Sequence, residues 1–291
     1  MRTLALALLI ALSSVAGAAE LRIASWNIKH LGWAADKKDL RTVAQVASNF
    51  DFIAIQEVMK PAALDDLEDV LERMTGVGWQ VIASHTIGRG SYREAYAFLW
   101  RSDRVAYDSG AVVYLDRGDI FSREPFSAKF IERDSGDEFV AANVHIIYGK
   151  DKGQRIPELR ALDEYWGFLE STYASEPDTF LFGDFNMVPT EPAFMELKRF
   201  AAPAIVKGKS TLGRRDGTFA NLYDNIWIDL DSGTLRTVRA GIYNFPAAHR
   251  MSHEEARATV SDHAPAFAVV ELGTKPLAER HGRAMGVFAR D

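Results

Sequence analysis

Apolar residues along this chain fall mainly into short runs of about four to eight residues, each bounded by polar or turn-forming residues. Runs of this kind are typical of β-strands buried in a sheet. The predicted strands are Leu21–Trp26, Phe52–Ile55, Trp79–Ile82, Ala95–Trp100, Phe139–Ile147, Thr179–Phe182, Asn225–Ile228 and Pro265–Leu272.

Helical segments are predicted between some of these strands, at Lys38–Ser48, Pro61–Met74, Pro157–Tyr173 and Glu191–Phe200. Three of them carry a proline in the first turn, where the missing backbone N–H costs nothing. Because strands predominate and helices separate only some of them, the pattern favours two packed sheets flanked by helices over a single parallel sheet. The predicted fold class is therefore α/β.

The stretch SYREAYAFLW, Ser91–Trp100, places a carboxylate within a row of aromatic residues. Side chains alternate between the two faces of a strand. Glu94 is therefore expected to share one face with the rings of Tyr92, Tyr96, Phe98 and Trp100. Since a buried unpaired charge is costly, Glu94 is predicted either to reach solvent at the strand end or to pair with a basic group from elsewhere.

The composition is that of a globular protein whose stability depends on its core. Hydrophobic residues make up 47% of the 291 residues, and the sequence contains no cysteine, so disulfides cannot stabilise the fold. No linker, repeat or low-complexity tract divides the chain, which predicts one domain over residues 19–274. The formal net charge is −6, so binding to a polyanion would depend on local basic patches.

The N-terminal sequence MRTLALALLIALSSVAGAAE is organised like a secretory signal peptide. Arg2 precedes an apolar run from Leu4 to Leu12, and small residues at 16–18 suit a cleavage site. The run is short for a membrane span, although a membrane anchor is the alternative interpretation. We predict that residues 1–18 are removed and that the protein is periplasmic or secreted, without stable membrane association. Residues 275–291 form a C-terminal tail to which the sequence assigns no role.

Polar residues stand at the ends of several predicted strands, where a strand core would not select them. Each has an ordinary structural explanation when taken alone: a strand histidine is usually a satisfied core residue, Gly-Asp usually forms a turn, and Asp-His before proline suits a loop. Together they supply carboxylates, amides and two imidazoles. The residues are Asn27, Gln56, Glu57, His145, Asp184, Asn186, Asp224, Asn225, Asp262 and His263.

These groups are the components of a hard-cation site with an acid–base pair. Mg²⁺ prefers oxygen ligands and shares its remaining coordination with substrate phosphate. Imidazoles that are oriented by carboxylates exchange protons near neutral pH. The sequence has no HExxH motif or cysteine ligand that would favour zinc, and no Gly-rich phosphate loop or GxSxG. The pattern therefore favours metal-assisted hydrolysis of a phosphate ester.

The order of these motifs resembles that of the endonuclease/exonuclease/phosphatase superfamily, and most closely its deoxyribonuclease I branch. The matching motifs are SWNIKH, IQEV, SYREAYAFLWR, NVHII, GDFN, YDNIWI and SDHAP. The likeness extends from about Leu21 to Leu272, and SYRExY together with FSREP at Phe121–Pro125 favours the deoxyribonuclease I branch. It implies a four-layer α/β sandwich, in which two mixed sheets pack face to face with helices outside and the site lies at one edge.

The resemblance also implies a metal centre that uses Mg²⁺, with Mn²⁺ or Ca²⁺ as supporting ions. Glu57 would be the principal ligand, and Asn27 and Asp262 would lie near the metal. Asp184 and Asn186 would hold a second metal or the scissile phosphate.

Two acid–base pairs follow from the same resemblance, with Glu94 orienting His145 and Asp224 orienting His263. One imidazole would take a proton from the attacking water, and the other would protonate the leaving 3′ oxygen, which leaves 3′-OH and 5′-phosphate ends. In the family, the histidine that matches His263 usually acts as the base, but the sequence does not distinguish the acid from the base. The pairing offers Glu94 the basic partner that its aromatic strand requires.

Substrate contacts are implied for Tyr92, Arg123 and Asn27. Tyr92 matches a tyrosine that packs against a deoxyribose in the minor groove of double-stranded DNA, although it could equally be a rim aromatic. Arg123 matches a phosphate-binding arginine. Met59 stands where the family has a minor-groove arginine, which puts that contact in doubt. The protein is expected to be a monomer.

Two alternative functions are open. The first is a sphingomyelinase-like or phosphoinositide phosphoesterase of the same superfamily. The second is a catalytically inactive binding module on the same scaffold.

Overall fold

The computed structural model describes residues 19–35, 37–173, 177–232 and 236–272. The predicted signal peptide, residues 1–18, and the tail, residues 275–291, lie outside the described residues. Among the helices of the described residues, none is both long and apolar enough to span a membrane.

Over these residues, twelve strands form two six-stranded sheets. The strands of the first sheet, in spatial order, are β11 (Arg236–Ile242), β12 (Ala266–Leu272), β1 (Ala19–Leu31), β2 (Phe52–Val58), β4 (Ala95–Arg101) and β3 (Trp79–Ala83). Those of the second are β5 (Val105–Val113), β6 (Phe126–Glu132), β7 (Glu138–His145), β8 (Asp178–Asp184), β10 (Asp224–Asp229) and β9 (Ala201–Pro203).

Each sheet contains one parallel pair, β1 with β2 and β7 with β8, and its other pairs are antiparallel. The parallel strands carry the site residues Asn27, Glu57, His145 and Asp184 at or near their C-terminal ends. Strands β4, β10 and β12 run antiparallel to these and therefore begin where they end. Strand direction thus gathers the polar strand ends at one edge of the sandwich.

The core lies in three layers, which accounts for the four-layer architecture. Between the sheets, an apolar cluster contains a set of tightly packed aromatic rings, and the Phe52 and Phe130 centroids lie 4.8 Å apart. The outer face of the first sheet packs against α1 (Leu40–Ala47), α2 (Ala62–Thr75), α5 (Phe245–His249) and α6 (His253–Thr259). The outer face of the second packs against α3 (Ile156–Arg160) and α4 (Leu162–Thr172). The predicted sandwich is confirmed.

Helix α2 illustrates how local sequence forms these outer layers. Leu64, Leu67 and Leu71 are buried and recur at helical spacing, so one face of the helix is apolar. The helix ends at Gly76, whose φ of 71° is left-handed and therefore easily adopted by glycine.

The prediction of a helix over Glu191–Phe200 is wrong. The segment forms two 3₁₀ turns, Pro192–Phe194 and Leu197–Arg199, before entering β9. A stretch this short gains little from helix propagation. The two turns instead bring Phe194 and Leu197 into the core outside the second sheet.

Strands β5, β6, β9 and β11 were not among the predicted elements. Strand β11 is exposed or half-buried along its length, so it has no continuous apolar run. Strand β9 has only three residues. Both lie at sheet edges, where burial does not impose a clear sequence pattern.

Candidate active site

Two histidine–carboxylate pairs face each other at the edge of the sandwich. Nδ1 of His145 lies 2.8 Å from Oε1 of Glu94, and Nδ1 of His263 lies 2.8 Å from Oδ2 of Asp224. Oδ2 of Asp184 lies 3.7 Å from Nε2 of His145 and 3.7 Å from Nδ1 of His263. The two predicted pairs are therefore present, and Asp184 lies between them.

Glu94 is fully buried, directly before β4, and backbone hydrogen bonds join it to Ile87. The face shared by Tyr96, Phe98 and Trp100 packs into the core between the sheets. The carboxylate is tolerated there because His145 contacts it and Arg123 Nε lies 3.6 Å from the same oxygen.

Burial and charge oppose each other in this pair. Burial favours the neutral carboxyl, but the charges of His145 and Arg123 outweigh it, so the pKa of Glu94 is lowered. Burial likewise favours the neutral imidazole, but the Glu94 carboxylate outweighs it and the pKa of His145 is raised. Each partner therefore favours the charged form of the other.

The second pair behaves in the same way. Burial favours the neutral form of His263, but the carboxylates of Asp224 and Asp184 raise its pKa well above the usual value. The backbone N–H of His263 donates to Ser261 Oγ at 3.0 Å, which fixes the chain just before β12.

Glu57 reaches the cavity because the backbone is irregular where β2 ends. Its φ is 62°, a left-handed conformation that is uncommon outside glycine, and the β2–β4 register shifts between Ile55 and Val58. A bulge of this kind redirects a side chain. Nδ2 of Asn27 donates to Glu57 Oε1 at 2.9 Å and to Asp184 Oδ2 at 3.2 Å. Two carboxylates from different sheets are thus joined through one amide.

This arrangement suits a hard divalent cation. Two carboxylates beside one amide repel each other, and a cation held by both would relieve that repulsion. Two groups of residues have ligand atoms close enough to share an ion: Glu57, Glu94 and His145; and Asp184, Asp224 and His263. Their donors are mainly oxygen atoms, as Mg²⁺ requires.

A cavity of about 600 Å³ opens onto these groups. Eight of the predicted site residues line it: Asn27, Glu57, Tyr92, Arg123, His145, Asp184, Asn186 and His263. Glu94 and Asp224 lie behind the histidines that they contact. Asn186, with a left-handed φ of 48°, donates from its side chain to the Ile146 carbonyl oxygen at 2.8 Å. Residues far apart in sequence therefore converge on one cavity.

The family model described as "Endonuclease/Exonuclease/phosphatase family" matches residues 24–263, which is most of the chain. The chain belongs to this family. It is also 45% identical, over 92% of its own length and 75% of the relative's, to a protein named deoxyribonuclease from Thioalkalivibrio sp. (strain K90mix). Deoxyribonuclease-1-like 1 of Sus scrofa is 29% identical, over 89% of this chain and 84% of that protein. These matches confirm the predicted likeness to deoxyribonuclease I and the prediction of a nuclease that hydrolyses phosphodiester bonds.

Solved structures of the endonuclease/exonuclease/phosphatase family share the fold. A member from Bacteroides vulgatus superposes with a TM-score of 0.63 at 18% identity, covering 87% of this chain and 99% of that one. A mannosyl-6-phosphatase from Bacteroides thetaiotaomicron gives 0.61 at 17% identity, covering 86% and 99%. At this identity the likeness concerns the fold alone.

Two residues that the family resemblance implied for the site, Asp262 and Arg123, contact other groups of the protein. Asp262 is not among the residues lining the cavity, and its Oδ2 lies 3.4 Å from Nη2 of Arg257. Arg123 lines the cavity but is buried, and its guanidinium donates to the carbonyl oxygen of His145 at 2.8 and 3.1 Å. Arg123 thus holds the end of β7 in place. Metal binding by Asp262 and phosphate binding by Arg123 stay predictions.

Other residues at the site were not selected from the sequence. Nε2 of His30 lies 3.3 Å from Glu57 Oε2, and its ring packs against Trp33 in a tilted arrangement. Arg155 is buried and donates to the carbonyl oxygens of Asn186 and Tyr148, both at 2.7 Å. His30 belongs to the SWNIKH motif, which could have singled it out, whereas the local sequence marks Arg155 only as part of a loose basic cluster with Lys150 and Lys152.

Proposed function

We propose that this chain is a metal-dependent endonuclease that hydrolyses DNA by two-histidine acid–base catalysis. The observation that carries the proposal is the pair of carboxylate-backed imidazoles with Asp184 at 3.7 Å from each. The names of the relatives, deoxyribonuclease and deoxyribonuclease-1-like, support DNA as the substrate.

The residues divide the chemistry between them. A neutral imidazole takes the proton of the attacking water, while a protonated imidazole gives one to the leaving 3′ oxygen. Glu94 and Asp224 fix the ring orientation and stabilise the imidazolium of their partners, because each contacts Nδ1 and leaves Nε2 available for the proton transfer. The products are a 3′-OH and a 5′-phosphate end.

Glu57 would hold the cation, and Asp184 would hold a second metal or the scissile phosphate, with Asn27 keeping both carboxylates in place. When bound, Mg²⁺ would supply Lewis-acid polarisation of the phosphate and offset the charge that develops on it. Mn²⁺ or Ca²⁺ would serve as a supporting ion. Asn186 lines the cavity, and in this proposal its side chain contacts the phosphate oxygens.

We also propose that the enzyme works outside the cytoplasm as a monomer. The N-terminal apolar run and the small residues at 16–18 support export through a signal peptide. N-terminal sequencing of the protein recovered from the periplasm and the medium tests this directly: a start near Ala19 is expected, and an intact Met1 would contradict it. Light scattering after gel filtration tests the oligomeric state.

Nicking of supercoiled plasmid with Mg²⁺, compared with the same reaction in EDTA, tests the proposed activity. His263→Ala is expected to lose activity by roughly 10²–10⁴-fold. The control is His85→Ala, because His85 is exposed and does not line the cavity. A wild-type protein that leaves plasmid intact but cleaves sphingomyelin would refute the DNA substrate. Equal activity in EDTA would refute the metal.

A further inference from the structure

Trp33 differs from the other tryptophans of the chain. The sequence has six, and five of them are at most 3% exposed: Trp26, Trp79, Trp100, Trp166 and Trp227. Trp33 is 40% exposed. A single exposed apolar residue needs no special explanation, so the question is what surrounds this one.

Trp33 forms an aromatic platform with His30 and Tyr92. The centroids of the Trp33 and His30 rings lie 4.2 Å apart with an interplanar angle of 36°. The Tyr92 ring packs edge-on, at 6.3 Å from each of the other two centroids. The exposed part of the Trp33 ring can accept another planar ring.

The backbone holds the platform rigidly. Lys29, His30 and Gly32 all have left-handed φ values, of 50°, 54° and 90°, and Trp33 N donates to the His30 carbonyl oxygen at 3.1 Å. A Cβ at Gly32 would lie 2.8 Å from the Cβ of Lys60, so the turn can pass there only as glycine. The position of the Trp33 ring is therefore set before any ligand arrives, which lowers the entropic cost of binding.

The platform adjoins the proposed metal site directly. His30 Nε2 lies 3.3 Å from Glu57 Oε2, and Tyr92 lines the catalytic cavity. A nucleic-acid strand whose phosphate lies at Glu57 would bring a neighbouring nucleotide next to these rings. Bases stack on exposed aromatic side chains largely irrespective of their identity.

We infer that Trp33, packed against His30, binds an unpaired nucleobase next to the scissile phosphate, and that the enzyme therefore prefers substrates with single-stranded or frayed nucleotides. Within a duplex, both faces of a base are covered by its neighbours, so the Trp33 ring could not stack on it without unstacking it. The inference rests on the proposed nuclease function and specifies the form of the substrate.

Because Trp33 is much more exposed than the other five tryptophans, a base that stacks on it should quench tryptophan fluorescence, which can be measured directly. The full-length His263→Ala protein with Mg²⁺ is titrated with a short oligodeoxythymidylate while tryptophan fluorescence is recorded. Saturable quenching is expected. Adding Trp33→Phe should abolish the quenching, whereas anisotropy of a labelled oligonucleotide should show that binding persists, because phenylalanine still offers a ring. Quenching that persists in Trp33→Phe, or no quenching in the parent protein, overturns the inference.

Trp33→Ala supplies the energetic test. Its affinity for the single-stranded oligonucleotide is expected to fall on the order of tenfold or more, and its affinity for a blunt duplex of the same length to fall less. The matched control is Tyr107→Ala, since Tyr107 is 41% exposed and does not line the cavity. An equal loss on single strand and duplex, or an equal loss in the control, overturns the inference.

Oligouridylate is tested in parallel with the DNA strand. Comparable quenching by both would support stacking on any unpaired base, whereas quenching by the RNA strand alone would overturn the DNA preference. Plasmid nicking by the wild-type protein is measured separately. If nicking succeeds while quenching fails, the platform is wrong and the nuclease function stands. If quenching succeeds while neither the plasmid nor the single-stranded oligonucleotide is cleaved by the wild-type protein, the nuclease function is wrong.

Discussion

Glu94→Gln is the most informative single change at the active site. The substitution keeps the shape and volume of the side chain but removes its charge. Glu94 is fully buried and its Oε1 lies 2.8 Å from Nδ1 of His145, so solvent screens their interaction little. For charge centres roughly 4 Å apart at an effective dielectric constant near 20, the interaction amounts to about 4 kcal/mol.

That magnitude agrees with the expected kinetic effect. Loss of acid–base help costs roughly 10²–10⁴-fold in rate, which corresponds to about 3–5 kcal/mol of activation free energy. The fold should survive, since a charge-assisted hydrogen bond contributes about 1.5–3 kcal/mol to stability and Gln can still contact His145. Circular dichroism checks folding. Glu20→Gln is the control, because Glu20 is exposed and its substitution removes one negative charge away from the site.

The pH profile of plasmid cleavage then identifies the role of His145. Glu94 raises the pKa of His145 against the effect of burial, so Glu94→Gln should move that pKa down. A general base must be neutral and sets the acidic limb, while a general acid must be protonated and sets the alkaline limb. The limb that moves to lower pH in Glu94→Gln belongs to His145, and Asp224→Asn should move the other limb.

Two results would refute this reasoning. Full activity of Glu94→Gln would show that the pair does not contribute to catalysis. Movement of the same limb in both variants would show that the two imidazoles do not divide the acid and base roles.

Three further outcomes are expected. Glu57→Gln should weaken Mg²⁺ binding in calorimetry about 10–100-fold or more, with folding intact, since it removes one of the two converging carboxylates; unchanged affinity would place the metal elsewhere. Phe52→Ala should lower the free energy of unfolding in urea by about 3–5 kcal/mol, since it opens a cavity between the sheets. The raised pKa of His263 contributes stability to the folded state that is fully present below about pH 6.5 and is lost as the pH rises through the folded pKa. Asp224→Asn should therefore destabilise the protein most at low pH. A difference in stability that grows with pH would contradict the pairing.

The sequence alone allowed much of the fold and the site to be predicted. Continuous apolar runs located the strands that are buried in the sheets, and polar residues at their ends indicated the groups that converge on the candidate site. Edge strands such as Arg236–Ile242 were not predicted, because their exposed side chains do not form a continuous apolar run. The segment Glu191–Phe200 was read as helical because local propensity carries no information about the strand that it must enter.

What the sequence determined by itself was which chemical groups the chain carries and at which strand ends they stand. Only the tertiary structure decided which partner each group meets. Arg123 contacts Glu94 and the His145 carbonyl oxygen because β4 and β7 lie in facing sheets, and Glu57 turns toward Asp184 because of a left-handed residue at the end of β2. Trp33 lies beside the candidate site only because the tertiary structure packs it against His30, whose ring contacts Glu57. Sheet order and strand direction are properties of residues far apart in the chain, and local patterns cannot specify them.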